Sequence, residues 1–288
     1  MKKGAPTEGR PYKLVRYLPW VSYSDTTMIH VGHVREIVRY PVKSMAGTAT
    51  ESALLGWHGL DGDRRYAFRR MGDDGGFPWL TASRLPELLL YQPVGLDEST
   101  GEPLPTHVRT PAGAHVELHS QELESEIAEL YGSGVELMKL KHGIFDEAAI
   151  SVISLATIAG IGREAGLELD RRRFRANIVV ETEAYKPFLE DGWVGGILVF
   201  GDSDAGLSEP PTVAGGLGNR PAVSVTMCDV RCVMINLDPE TAKKDARVMK
   251  TVVRLNQNNA GVYGTVVRTG HVRVGDRVNL VSEPPAIR

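Results

Sequence analysis

Between residues 29 and 118 the chain changes direction every few residues, and this punctuation limits what it can fold into. Ile29-His30-Val31-Gly32-His33-Val34-Arg35-Glu36-Ile37-Val38-Arg39-Tyr40 alternates in the manner of a half-buried strand until Pro41-Val42-Lys43-Ser44 breaks it. Gly47, Gly56, Gly59 and Gly62 divide the next stretch. Residues 65–70 read as a strand that stops at the turn Gly72-Asp73-Asp74-Gly75-Gly76, and residues 107–118 as two more around Pro111-Ala112-Gly113. Strands this short and closely spaced fit a small barrel or sandwich and leave no room for βαβ units.

Helical signals come later. Ser120 can cap a helix over 120–131, with Glu122 and Glu124 in its first turn and Leu123, Ile127 and Leu130 on one face. The acidic residues Glu122, Glu124, Glu126 and Glu129 read as its solvated side. A strand at 135–139 and a loop through Asp146 lead to a second helix, from Ser154 to about Ala165, with Gly166 as its stop. The pattern shifts here, which places a domain boundary between 140 and 150. Strands are expected at 177–181, 196–201, 223–227, 262–268, 271–274 and 277–281, and a helical region at 239–255. Residues 201–221 are too rich in Gly and Pro for a regular element, and a loop of that length is functional or mobile.

A chain of 288 residues is long enough for two domains. A net charge of -3 gives no global drive toward nucleic acid or anionic lipid, so an anion site must be built locally from a few basic side chains. Two cysteines argue against a disulfide framework and point to the reducing cytoplasm. No apolar run approaches the ~20 residues of a membrane helix. Residues 1–28 are basic, lack the apolar core of a signal peptide, and read as an extension.

Both cysteines fall in Thr226-Met227-Cys228-Asp229-Val230-Arg231-Cys232. Spacing leaves Cys228 and Cys232 equivalent: a lone C-x-x-x-C lacks the second pair of a structural zinc site, and free cysteine is commonly a small buried hydrophobe. The basic residues Lys43, Arg64, Arg65, Arg171 to Arg175 and Arg231 sit at the ends of expected strands. Arginine suits bidentate phosphate contact and Lys-Ser a point charge with a hydrogen bond, though each alone reads equally as a solvated charge. The eight histidines show no H-E-x-x-H or related pairing and read as surface or core residues. No G-x-S-x-G elbow, P-loop or Rossmann glycine run is present.

Tyr40-Pro41-Val42-Lys43-Ser44, Gly62-Asp63-Arg64-Arg65-Tyr66, Arg173-Phe174-Arg175-Ala176-Asn177-Ile178-Val179, Asp191-Gly192-Trp193, Arg231-Cys232, Asp238-Pro239 and Val274-Gly275-Asp276 succeed one another in the order of MOSC-domain proteins with an N-terminal MOSC β-barrel. Over residues 29–281 the chain resembles the branch containing the mitochondrial amidoxime-reducing component and its bacterial relatives. The resemblance implies a β-rich α+β protein: an extension at 1–28, an N-terminal β-barrel-like domain at 29–145, and a MOSC β-barrel domain with flanking helices at 146–284. It further implies the molybdenum cofactor in its molybdopterin form, with Cys232 as the thiolate on molybdenum and as the catalytic residue. The other sulfur ligands are the dithiolene of one pterin. Lys43, Ser44, Arg64, Arg175, Asn177, Arg231 and Tyr263 map onto the cofactor-binding positions, and Cys228 onto a packing thiol. A soft thiolate suits a sulfur-rich metal, and Arg231 would help to keep it deprotonated.

The implied activity is reduction of N-oxygenated (N-hydroxylated) small molecules. With no four-cysteine iron-sulfur signature in the chain, electrons must come from a separate donor protein, a ferredoxin or a small haem protein. Carriage of cofactor or sulfur on a Cys232 persulfide, and a non-catalytic cofactor-binding module, are the alternatives. Three features depart from the family pattern. Ser83, with Arg84 next, stands where an arginine usually comes after the position of Thr81; Ala260-Gly261 replaces an aromatic-glycine pair and is expected to widen the site; and the loop at 201–221 is longer than usual, expected to form a lid or substrate wall.

Overall fold

Strand β1 (Thr27–Arg39) runs through the sheet that organises the molecule. In the computed structural model the described residues are 27–73, 75–97, 99, 101–202 and 220–282. After β1 come β2 (Thr48–Thr50), β3 (Ser52–Gly56), β4 (Gly59–Leu60), β5 (Tyr66–Arg70), β6 (Gln92–Val94), β7 (His107–Arg109), β8 (His115–Glu117), helix α1 (Gln121–Tyr131) and β9 (Val135–Lys139). The remainder is β10 (Ile150–Ser154), α2 (Leu155–Ala165), β11 (Ile178–Thr182), β12 (Ile197–Phe200), β13 (Ala222–Val230), α3 (Arg247–Asn256), β14 (Asn259–Arg268), β15 (Gly270–Arg273) and β16 (Arg277–Ser282).

Seven strands close on themselves in the order β1, β11, β10, β14, β13, β12, β16 and back to β1, with β2 added along β1. The barrel therefore takes its first strand from the N-terminal residues and six from beyond residue 149. Only β10 and β11 in this ring run parallel, and α2 supplies the crossover that a parallel pair needs. Inward-facing Val34, Ile37, Ile150, Val152, Ile178, Val180, Leu198, Val223, Val262 and Val278 fill the interior, each contributing about 1.5–3 kcal/mol by its burial. Of the other N-terminal strands, β3 and β4 form a sheet with β15 and add Ala53, Leu55 and Leu60 to the barrel core, while β5 with β9 and β6-β7-β8 form small sheets that pack with α1 on a second core around Phe68, Leu80, Leu88, Leu104 and Val108. A third core seats α2 and α3 against Ile153, Phe174 and Val179. The chain is thus β-rich α+β, as the resemblance implies. Among the described residues no helix is long and apolar enough to cross a membrane.

Both expected helix boundaries have their physical cause in view. The Ser120 hydroxyl accepts the amide of Leu123 and the Ser154 hydroxyl that of Thr157, while Gly132 and Gly166 end the helices in the left-handed conformation. Leu130, expected on the apolar face of α1, is exposed; Leu123 and Ile127 alone are buried. Two of the acidic residues assigned to the solvated side have partners: Glu124 Oε1 accepts the amide of Leu137, and Glu126 the hydroxyl of Tyr91.

The helical region expected from residue 239 begins only at Arg247. Asp238 Oδ1 accepts from the amides of Glu240 and Thr241 at 3.1 and 3.0 Å and from the Thr241 hydroxyl at 3.0 Å, so the side chain takes donors that a helix would need. Leu237 then bridges to Lys244 before α3 starts.

Candidate functional site

The end of β1 is tied to the turn before β5. Tyr40 donates its amide to Asp63 Oδ1 at 2.7 Å, Arg64 donates its amide to the Tyr40 carbonyl at 2.8 Å, and Lys43 donates its amide to the Tyr66 carbonyl at 2.7 Å. These bonds bring Lys43 and Ser44 beside Arg64. The turn before β11 adds Arg173 and Arg175, the end of β13 adds Asp229 to Cys232, and β14 adds Tyr263. Together they line a cavity of about 510 Å³.

Seven of the eight residues singled out in the sequence, Lys43, Ser44, Arg64, Arg175, Arg231, Cys232 and Tyr263, therefore share one wall. Asn177 does not reach it. Fully buried behind Arg64, its Oδ1 accepts from Arg64 Nη1 and from the Ser151 amide, both at 3.2 Å, and its Nδ2 donates to the Val38 carbonyl at 3.3 Å. It positions Arg64 and couples β1 to β10 and β11.

Three cavity residues, Ser44, Arg64 and Arg175, hold left-handed backbone at φ 69°, 51° and 51°, among seven described non-glycine residues that do so. Such conformations cost of order 1–3 kcal/mol each and persist where the surroundings over-determine them, which happens most often at binding sites.

The cations differ in how their charge is used. Lys43 Nζ donates to Asp146 at 2.7 Å, Arg64 pairs with buried Asp63, Arg231 Nη2 lies 2.8 Å from Asp229 Oδ2, and Arg173 Nη2 lies 2.7 Å from Asp238. Arg175 has no carboxylate within ion-pair distance among the described residues. Its Nη1 donates to the Met45 carbonyl at 2.7 Å and its guanidinium lies over the ring of Tyr40, 4.2 Å from the centroid. Burial, with the charge of Arg64 added, pushes its pKa down to about 10 despite the opposing pull of Tyr40.

Burial, with help from Arg64 and Arg175, likewise lowers Lys43, against the pull of Asp146. Burial alone would raise Asp146, but the charge and hydrogen bond of Lys43, with Arg64 and Arg175, hold its carboxyl below the usual range. Arg64 goes the other way: burial opposes its charge, and Asp63 more than offsets that. Tyr263 is raised above the ordinary phenol range by burial and then by Asp229, so at neutral pH it is a hydrogen-bond donor.

Cys232 is exposed at the rim and precedes a single turn of 3-10 helix over Val233–Asn236. Arg231 turns its guanidinium into the barrel wall, where Nε donates to the Ala260 carbonyl and Nη1 to the Phe174 carbonyl, both at 2.6 Å. Its charge is matched by Asp229, and no hydrogen bond or ion pair joins it to Cys232. Gly261, with φ 87°, lets the guanidinium lie against β14: a Cβ there would stand 2.6 Å from the Val152 carbonyl and 3.0 Å from Arg231 Nη2. Cys228 is partly buried, and its thiol is pushed up by desolvation and then by Asp191.

Several participants carry no signal in the sequence. Asp63 and Asp229 sit inside recognisable motifs without an evident role, and Asp146 marks only the end of a loop. Asp229 accepts from the Ser151 hydroxyl at 2.8 Å, and burial raises its pKa against the opposing charge of Arg231. Thr81 and Ser83 both line the cavity, so the serine departure places a hydroxyl on its wall. The Ala260-Gly261 pair does not widen the site: Ala260 is fully buried against α2 and α3, and neither residue lines the cavity. Most of the loop at 201–221 lies outside the described residues.

Comparison with family models matches residues 31–135 to the MOSC N-terminal beta barrel domain and residues 139–279 to the MOSC domain. Comparison with curated proteins found no match. Among solved structures, the YUAD protein from Bacillus subtilis is similar at 14% identity over 90% of this chain and 100% of that one, with a TM-score of 0.48. A second, described as a hypothetical protein, is 12% identical over 87% of this chain and 69% of its own, with a TM-score of 0.36.

Proposed function

The chain belongs to the MOSC family, with a MOSC N-terminal β-barrel domain preceding the MOSC domain, and from that membership we propose that it is a molybdenum-cofactor-dependent reductase of N-oxygenated small molecules. MOSC domains are associated with binding the molybdenum cofactor or with carrying sulfur. The observation that carries the reading is Arg175, a partly buried guanidinium without a carboxylate within ion-pair distance among the described residues, in the same cavity as the exposed thiol of Cys232. A pterin cofactor with an anionic phosphate end and a thiophilic metal needs those two features, so the donor set fits.

In this reading Arg175, Lys43 and Arg64 hold the anionic end, with the Ser44 hydroxyl beside them. Asn177 keeps Arg64 in place. Asp229 and Ser151 lock Arg231, which fixes the end of β13 and with it the position of Cys232, the metal's thiolate. The cofactor supplies two-electron removal of oxygen from an N–O bond, and the balance is that an N-hydroxylated compound plus two electrons and two protons gives the amine and water. The neutral phenol of Tyr263 can donate a hydrogen bond to a polar group in the cavity. Val230 and Val233, both exposed beside Cys232, offer apolar contact to a small molecule at the rim. Electrons come from a separate protein such as a ferredoxin or a small haem protein.

The exposure of Cys232 also supports a second reading, sulfur carriage, in which its thiolate takes the terminal sulfur of a desulfurase persulfide. The two are separated by making the protein in a cofactor-producing host and measuring molybdenum, pterin fluorescence and turnover of an N-hydroxylated substrate with a chemical reductant. Absence of molybdenum and pterin sinks the reductase. A Cys232 persulfide formed without turnover favours the carrier.

A further inference from the structure

At the other end of β1 lies a cluster that the cavity does not use. His30 Nε2 is 3.0 Å from Glu183 Oε1, His33 Nδ1 is 3.8 Å from the same oxygen, and the three ligand atoms lie within 4.8 Å of one another. Strict alternation along β1 would send His30 and His33 to opposite faces. A β-bulge prevents this: against β16, His30 pairs with Asn279 and Gly32 with the next residue back, Val278, so Val31 is the extra residue and the two imidazoles come to one side. Their ring centroids are 4.8 Å apart at 71°, an edge-on arrangement.

The bulge is tightly built. A Cβ on Gly32 would meet the Glu181 carbonyl at 2.1 Å, and Glu183 donates its amide to the Val31 carbonyl at 3.1 Å, which holds its carboxylate over the two rings. His30 Nε2 is paired with Glu183, and its Nδ1 is buried without a partner.

We propose that His30, His33 and Glu183 form a binding site for a divalent transition metal, zinc foremost. Two imidazoles and a carboxylate with a fourth position open to water make up a familiar zinc donor set. Ligand atoms about 2.0–2.1 Å from a tetrahedral zinc stand roughly 3.3 Å from one another, so the 3.0 and 3.8 Å pairs need shifts of about half an ångström or less, and the two imidazole nitrogens, which lie within 4.8 Å, need to close by up to about 1.5 Å through rotation of the half-exposed His33. Six residues of strand, Val34 to Arg39, separate His33 from Tyr40, on the order of 20 Å, so this metal lies far along β1 from the cavity that holds Cys232. It would fasten β1 to the chain leaving β11, and so tie the N-terminal strand of the barrel to a segment 153 residues further along the sequence.

Untagged protein, stripped with a chelator and titrated with zinc sulfate by calorimetry, should take up one equivalent, and its thermal midpoint should rise with zinc concentration by mass action. His33→Ala and Glu183→Gln should each weaken that binding by at least about tenfold. Both side chains are half exposed, so the variants should keep the parent's midpoint in chelator. Cys232→Ala should bind zinc as the parent does. No saturable uptake, or uptake that survives both His33→Ala and Glu183→Gln, would overturn the proposal.

Discussion

Arg175 lies over Tyr40, its guanidinium carbon 4.2 Å from the ring centroid, and the ring takes the place that a carboxylate holds beside the other cavity cations. A cation on an aromatic face is worth about 0.5–2 kcal/mol, more as it is desolvated, too little to replace a carboxylate beside a partly buried charge. The unmet part is what an anion would supply. Arg175→Ala should therefore lower cofactor retention at least about tenfold, the effect of losing one charge-assisted hydrogen bond of ~1.5–3 kcal/mol. Arg175→Lys should restore only part of it, since a point charge cannot make the two-pronged contact. Molybdenum and pterin per protein measure both effects.

The same residue sets a pH limit. Its pKa is pushed down to about 10, and an anion binds the protonated form, so affinity falls as pH rises through that value and is flat well below it. Lys43 is lowered as well and loses its charge in the same direction. Binding of inorganic phosphate to cofactor-free protein, monitored from neutral pH upward, should decline near pH 10. A decline centred near neutrality would assign the anion site to other groups.

Much of this arrangement is legible in the chain because strand ends and helix caps are local. Ser120, Ser154, Gly132 and Gly166 announce the helices, and the basic residues that line the cavity stand just before or just after an expected strand. Pairings across long separations are not legible. Nothing local says that Asn177 reaches Val38, that Asp146 meets Lys43, or that Glu183 stands over His30. The left-handed backbone of Ser44, Arg64 and Arg175 is equally silent, because these residue types do not require it; the hydrogen bonds around them impose it. Asp238 shows the reverse case, a local side chain overruling a helical pattern.

Asp229 and Arg231 form the buried pair that fixes the end of β13. Removing one partner leaves the other charge without compensation, at a cost of about 3–5 kcal/mol. Asp229→Ala should therefore destabilise the fold by that order, and Ser151→Ala, which removes only a hydroxyl hydrogen bond, by about 1 kcal/mol. Urea midpoints at constant slope check both. If Asp229→Ala unfolds no earlier than Ser151→Ala, the pair does not hold the strand end.

Glu190 is fully buried at the start of α2, where its carboxylate accepts the Ser154 amide at 3.1 Å and the Ser154 hydroxyl at 2.8 Å. Burial raises its pKa from 4.5, and the hydrogen bonds from its own amide, Ser154 and Thr157 only partly oppose the rise. A carboxyl with a raised folded value stabilises the native state while protonated, and that contribution is lost as pH climbs through the folded value. Glu190→Gln keeps a carbonyl to accept one bond and carries no charge, so it removes the dependence. Measured against the parent, the variant should gain relative stability as pH rises from 4.5 toward neutrality. Glu190→Ala should lose stability at every pH, because the Ser154 amide is then buried without its acceptor and the Ser154 hydroxyl keeps only Thr157. A parent whose stability relative to Glu190→Gln rises over that range would mean that the ionised carboxylate, held by Ser154, is the favoured native form.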